Sequence, residues 1–164
     1  MSLSKLQSFP NEILMDIIEK YIDGVDLLRA FGFQLNQRFN ALITQCQRFR
    51  FDFIQCQKDD FHFCIDLLSA YVDKIEELAI SEQDTPGQVY AFLSVYPSFE
   101  SFKKLRTLYF HFNDDDVHWE IVKKALNSLL QTIIDTLSIK AMKTDDRPSL
   151  GYAIIDLFRL KSLN

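Results

Sequence analysis

The residues best equipped for chemistry lie in a few short clusters. Cys56, His62 and Cys64 form a C-x5-H-x-C arrangement, and His118-Trp119-Glu120 sets an imidazole near a carboxylate. Thiolate and imidazole are zinc ligands, but a structural zinc site takes four of them in two close pairs. No second pair lies nearby, and Cys64 falls on an apolar helical stripe, so the spacing predicts buried free thiols. His118-Trp119-Glu120 lacks the second histidine of a zinc-protease motif. Asp114-Asp115-Asp116 and Asp145-Asp146 stand just ahead of helical patterns, where capping and the helix dipole favour acids. There is no Gly-rich phosphate loop, no GxSxG, and no histidine with acid and nucleophile partners at a recognisable spacing. The sequence predicts no catalytic residue, no metal and no cofactor, which leaves contact chemistry to explain the chain.

Composition sets the outer limits. The chain has 164 residues, 48% of them apolar, enough for one ordinary domain or a small module plus a short array. A net charge of −5 and a pI near 5.1 argue against a broad nucleic-acid footprint. Three cysteines without a CxxC pair argue against a disulfide framework and for a reducing compartment. The start, MSLSKLQSFP, has no secretion-signal pattern, and no apolar run reaches the roughly 18 residues of a membrane span. The expected location is cytoplasmic and/or nuclear, with no nucleic-acid or membrane partner.

The first elements that could position a contact surface lie between Ser8 and Ile43. Pro10 suits a first helical turn, and Glu12 faces the positive end of the dipole. Ile13, Leu14, Ile17, Ile18 and Tyr21 recur at helical spacing until Asp23-Gly24 breaks the run. Asp26 is placed to cap a second helix with Val25, Leu27, Leu28 and Phe31, and a third carries Leu35, Phe39, Leu42 and Ile43. Three short helices hold more apolar side chains than so small a bundle can hide, so the surplus predicts docking onto something.

Phe9-Pro10, Glu12, Ile13, Leu14, Ile17, Asp26-Leu27-Leu28 and Arg38-Phe39 with Leu42 follow the order of a known motif. The stretch resembles an F-box, with Phe9 where that family has Leu and Phe39 where Trp is common. The resemblance implies that Phe9, Pro10, Ile13, Leu14, Ile17, Leu27, Leu28, Leu35 and Phe39 contact or support a Skp-family adaptor, and through it a cullin.

Downstream the period changes. RFRFDF, residues 48–53, alternates as a strand does, with Phe49, Phe51 and Phe53 on one face. Lys58 to Tyr71 returns to helical spacing along Phe61, Ile65, Leu68 and Val72. Then Ile75-x-x-Leu78-x-Ile80 recurs as Leu105-x-x-Leu108-x-Phe110 and Ile134-x-x-Leu137-x-Ile139, and Leu160-x-x-Leu163 begins a fourth copy. Polar turns and helices follow, with Val89, Phe92, Leu93 and Tyr96 in one, Ile121, Val122, Ala125, Leu126 and Leu129 in the next, and Ile154, Leu157 and Phe158 in the third. A strand, a turn and a returning helix at this interval make a solenoid unit.

These copies resemble leucine-rich repeats of the helix-containing kind, with the fuller LxxLxLxxN core at Leu105, Leu108, Phe110 and Asn113. On such strands the leucines point inward and alternate residues face the concave surface. Those are Glu77, Ala79 and Ser81; Thr107, Tyr109 and His111; Thr136, Ser138 and Lys140. Tyr109 and His111 at the centre are the leading contact candidates.

The expected fold is therefore an α/β repeat: an F-box-like helical module over residues 5–46, then a short leucine-rich-repeat-like solenoid over 47–164, incomplete at its C-terminus. The paired resemblances imply a non-catalytic substrate-recognition subunit of a Skp–cullin–F-box ubiquitin ligase. Its target protein would lie on Glu77, Thr107, Tyr109, His111, Thr136, Ser138 and Lys140. A repeat-based interaction scaffold that joins no ligase is the alternative.

Overall fold

The computed structural model describes residues 8–31, 37–112 and 119–141. Among the described residues three helices come first: α1 (Asn11–Tyr21), α2 (Gly24–Phe31) and α3 (Gln37–Gln45). Strands and helices then alternate as β1 (Phe49–Asp52), α4 (Lys58–Leu68), β2 (Ile75–Ser81), α5 (Gln88–Val95), β3 (Thr107–Phe112), α6 (Trp119–Ser128) and β4 (Thr136–Ala141). Short 3-10 turns at Val72–Lys74 and Leu129–Gln131 lead into β2 and towards β4. The four strands form one parallel sheet in sequence order, β1-β2-β3-β4. Parallel neighbours need a crossover, and α4, α5 and α6 supply one each, packed side by side in the same order.

The sequence repeat is the register of this sheet. Phe51, Leu78, Leu108 and Leu137 stand in one row across the strands, and Ile80, Phe110 and Ile139 form the next. Ile75, Leu78, Ile80, Leu105, Leu108 and Phe110 are buried, while Leu137 and Ile139 at the β4 edge are half-buried. Phe51 in the first row shows that β1 belongs to the same series, one unit earlier than the spacing expectation. Its F-x-F-x-F pattern hides the match, and the register shift between Phe49 and Arg50 absorbs the missing residue.

Phenylalanine fills the layer between sheet and helices. Phe53 meets Phe61 of α4 edge-on with ring centroids 5.2 Å apart, and Phe99 from the loop before β3 meets Phe110 at 6.0 Å. Polar side chains tie successive units at a matching interval. Thr85 Oγ1 donates to the Cys56 carbonyl (2.8 Å), the Phe99 N–H to Ser128 Oγ (2.7 Å), and Tyr96 OH to the Ile65 carbonyl (3.2 Å), over separations of 29, 29 and 31 residues.

The same interval runs back into the N-terminal helices. The Asp52 N–H donates to Asp23 Oδ2 across 29 residues, Arg50 to the Lys20 carbonyl across 30, and Arg38 to the Phe9 carbonyl across 29. Capping differs from expectation: Asp23, not Asp26, accepts from the Val25 N–H at 2.8 Å and opens α2. Asp26 is already inside the helix, three residues past the capping position.

Helices α1 and α3 pack together, and α2 packs on β1 and α4. Gly24 sits against the Phe51 ring so closely that a Cβ there would meet ring carbons at 2.5 Å. The apolar surplus of the three helices therefore docks largely onto this chain's own sheet edge. One buried cluster runs from Leu14 to Ile134, so the expected division at residues 46 and 47 is no break in the core.

Candidate functional site

Residues that alternate with the buried row of each strand form the outward face of the sheet. Register sets them in two rows, Arg50, Glu77, Thr107 and Thr136, then Asp52, Ala79, Tyr109 and Ser138. Across β1 to β3 these rows floor a groove of about 350 Å³, walled on the far side of β1 by Tyr21 and Asp23 from the end of α1. Small Ala79 lies between Asp52 and Tyr109 in the register, which leaves space between the carboxylate and the ring.

The groove is short of positive charge. Arg50 is its single cation among the lining residues, and its guanidinium donates to the Lys20 carbonyl and makes no ion pair with neighbouring Glu77. Glu77 is exposed and the Tyr109 ring half-buried, and neither makes a side-chain hydrogen bond among the described residues. Asp52 Oδ1 accepts from the Ile54 N–H at 2.8 Å. Burial lifts the Asp23 carboxyl to about 6, against the Val25 and Asp52 N–H donors that hold it down. Asp23 and Asp52 also line a second groove with Asp26, Asp60 and Arg29, where Arg29 Nε lies 3.3 Å from Asp60 and Nη1 3.8 Å from Asp26.

Of the residues expected to contact a target, Glu77, Thr136 and Lys140 are exposed, and Thr107, Tyr109 and Ser138 are half-buried. His111 is a correction: it is only 3% exposed, and so is no contact residue. Its Nδ1 lies 3.1 Å from Ser81 Oγ, itself buried. The turn after β2 bends back onto this pair, with the Gln83 N–H donating to Ser81 Oγ and the Ser81 N–H donating to Gln88 Oε1. Burial, with Lys140 nearby, pushes the His111 pKa down. A serine beside an imidazole suggests a nucleophile and its base, but a fully buried hydroxyl offers no approach to a substrate carbonyl. His111 Nε2 and Gln88 Nε2 are buried without a hydrogen-bond partner, each at a cost of about 1–3 kcal/mol.

The residues expected at an adaptor surface divide as well. Leu14, Leu27, Leu28 and Phe39 lie in the chain's own core and can only support a surface from behind. Pro10 and Ile13 are exposed, Ile13 at 47%, while Phe9 and Ile17 are half-buried. Phe9, Ile13, Ile17 and Tyr21 recur every fourth residue and leave an apolar stripe along α1. Arg38 steadies its start, with Nε donating to Asn11 Oδ1 at 2.9 Å. Leu35 lies outside the described residues, as do the Asp114-Asp115-Asp116 and Asp145-Asp146 clusters and His118.

The thiols are buried and free, as the spacing predicts. Burial pushes Cys46 and Cys56 up to about 11 and Cys64 up to about 12, which keeps them protonated and unreactive. His62 is exposed, and no group of three metal-ligating side chains occurs among the described residues. No described helix is long and apolar enough to cross a membrane.

Sequence reasoning missed Tyr21, Asp23, Arg50 and Asp52 as groove residues. Arg50 and Asp52 were available as the alternate positions of RFRFDF. Tyr21 and Asp23 carry no local signal, because only the winding of the chain brings them beside β1. Compared with protein-family models, curated proteins and solved structures, the chain matches none.

Proposed function

We propose that this chain is a non-catalytic substrate-recognition subunit of a Skp–cullin–F-box ubiquitin ligase. In this reading the apolar stripe of α1 docks on a Skp-family adaptor, and the outward sheet face holds a target protein. Ubiquitin transfer belongs to other subunits, and the chain's part is to raise the target's effective concentration there. The observation that carries the reading is one continuous core bearing two different surfaces: the α1 stripe with exposed Ile13 and Pro10, and the open rows of the parallel sheet. The repeated offset of about 29 residues supports taking the strands as a leucine-rich-repeat-like array.

The test is co-expression with a Skp-family adaptor and size-exclusion chromatography of the product. A one-to-one complex is expected, and Ile13→Asp should weaken it at least about tenfold by placing a charge in the docking face. Circular dichroism of that variant should match the wild type, since Ile13 is half exposed. A second reading, an interaction scaffold outside any ligase, is favoured by Leu14, Leu27, Leu28 and Phe39 being already engaged in the chain's own core. Absence of any complex with the wild-type chain would select it.

A further inference from the structure

We infer that the groove across β1 to β3 takes an arginine or lysine side chain of an extended target segment. The inference rests on reading the sheet face as the target surface and is independent of adaptor docking. The sheet face is open, and its charge is graded along the strand order. At the β1–β2 end Asp23, Asp52 and Glu77 line the groove, and at the β4 end the exposed charge is Lys140.

The one cation lining the groove, Arg50, pairs with none of those carboxylates. Arg50 is the register partner of Glu77, yet its guanidinium is held by the Lys20 carbonyl at the end of α1. Glu77 is therefore an exposed carboxylate with no ion pair among the described residues, at the rim of a groove where Asp23, Asp52 and Glu77 outnumber the single cation Arg50.

The remaining walls suit the same occupant. Tyr21 is 78% exposed and lines one side, and Tyr109 lines the other with Ala79 as floor. Asp52 and Tyr109 are two strand spacings apart, about 10 Å, which admits a guanidinium or ammonium between them. A cation there meets an aromatic face and a carboxylate together, a combination that favours it over a neutral side chain. An acidic side chain would meet the same carboxylates with like charge.

The experiment uses the full chain and fluorescein-labelled nonapeptide pools with neutral random flanks and a central Arg, Lys, Gln or Glu. Fluorescence polarisation should show the Arg and Lys pools bound about tenfold tighter than the Gln pool, and the Glu pool weakest. Glu77→Gln should shrink that preference, Glu77→Lys should turn it towards the Glu pool, and Tyr109→Ala should weaken the Arg pool. Glu77 is exposed and unpaired, so these variants keep the fold. Equal binding of the Gln and Arg pools, or an Arg preference that survives Glu77→Lys, would overturn the inference. An Arg preference without adaptor binding would leave this inference standing and remove the ligase reading alone. Adaptor binding without an Arg preference would do the reverse.

Discussion

The N-terminal helices and the strand–helix units obey the same winding with different backbones. In the loops and helix ends of the strand–helix units, Thr85 bonds to Cys56 and Ser128 to Phe99 across 29 residues; in the N-terminal segment, Asp23 bonds forward to Asp52 of β1 and Phe9 to Arg38 across the same separation. The units close each strand with a neighbouring strand. The helical segment has no strand to offer, so it closes the β1 edge with Asp23, Lys20 and the Gly24–Phe51 contact instead. An exposed sheet edge invites unwanted pairing, and covering it with helices is one remedy. The difference teaches that one stretch does two jobs: α2 covers the β1 side of the sheet, and α1 keeps an apolar stripe outside.

The strongest way to break that comparison is to remove the ring both regions share. Phe51→Ala should cost about 3–5 kcal/mol and lower a single cooperative urea transition. Two separate transitions, with the sheet outlasting the helices, would show that the regions are independent. Gly24→Ala comes next, at about 1–3 kcal/mol, because its Cβ has no room beside Phe51. Phe51→Leu should relieve part of that penalty, and a double-mutant cycle measures the coupling.

Acid sharpens the comparison, since half-buried Asp23 beside the helices and buried His111 in the sheet are shifted in opposite directions. Asp23 has a carboxyl raised from 3.8 to about 6 in the fold, so its contribution to stability is greatest at low pH and is lost as pH rises through that window. His111 is pushed below 6.5, so its contribution is present above that value and is lost as pH falls. Thermal melts from pH 7.5 to 4.5 should therefore separate the variants. Asp23→Asn should lose stability on acidification more steeply than the wild type, and His111→Gln less steeply. The smallest effect is expected where the units meet in solvent. Arg106 and Asp135 pair at 2.8 Å but both are more than half exposed, so Arg106→Ala should shift stability by no more than about 1 kcal/mol.

Much of the sheet was legible because its periodicity is local. Ile75-x-x-Leu78-x-Ile80 and its copies mark β2, β3 and β4 by apolar spacing, and those spacings became the register. Strand β1 was read as a strand but not as a copy, because a one-residue register shift alters its pattern. The surface was less legible. His111 occupies an outward position by alternation, yet the turn after β2 folds back onto the Ser81–His111 pair, and alternation alone says nothing about turns. Leu14, Leu27, Leu28 and Phe39 have the apolar character of a docking surface and of a core alike; only tertiary packing separates the two. Tyr21 and Asp23 joined the groove through winding, a property no short window contains.

The most direct test of the receptor account is hydrogen–deuterium exchange of the full chain with and without a Skp-family adaptor. The account predicts new protection concentrated on residues 11–21, with the exchange of β2 and β3 unchanged and their outward rows left for a target. Protection falling instead on the strands, or no change along α1 at saturating adaptor, would contradict it.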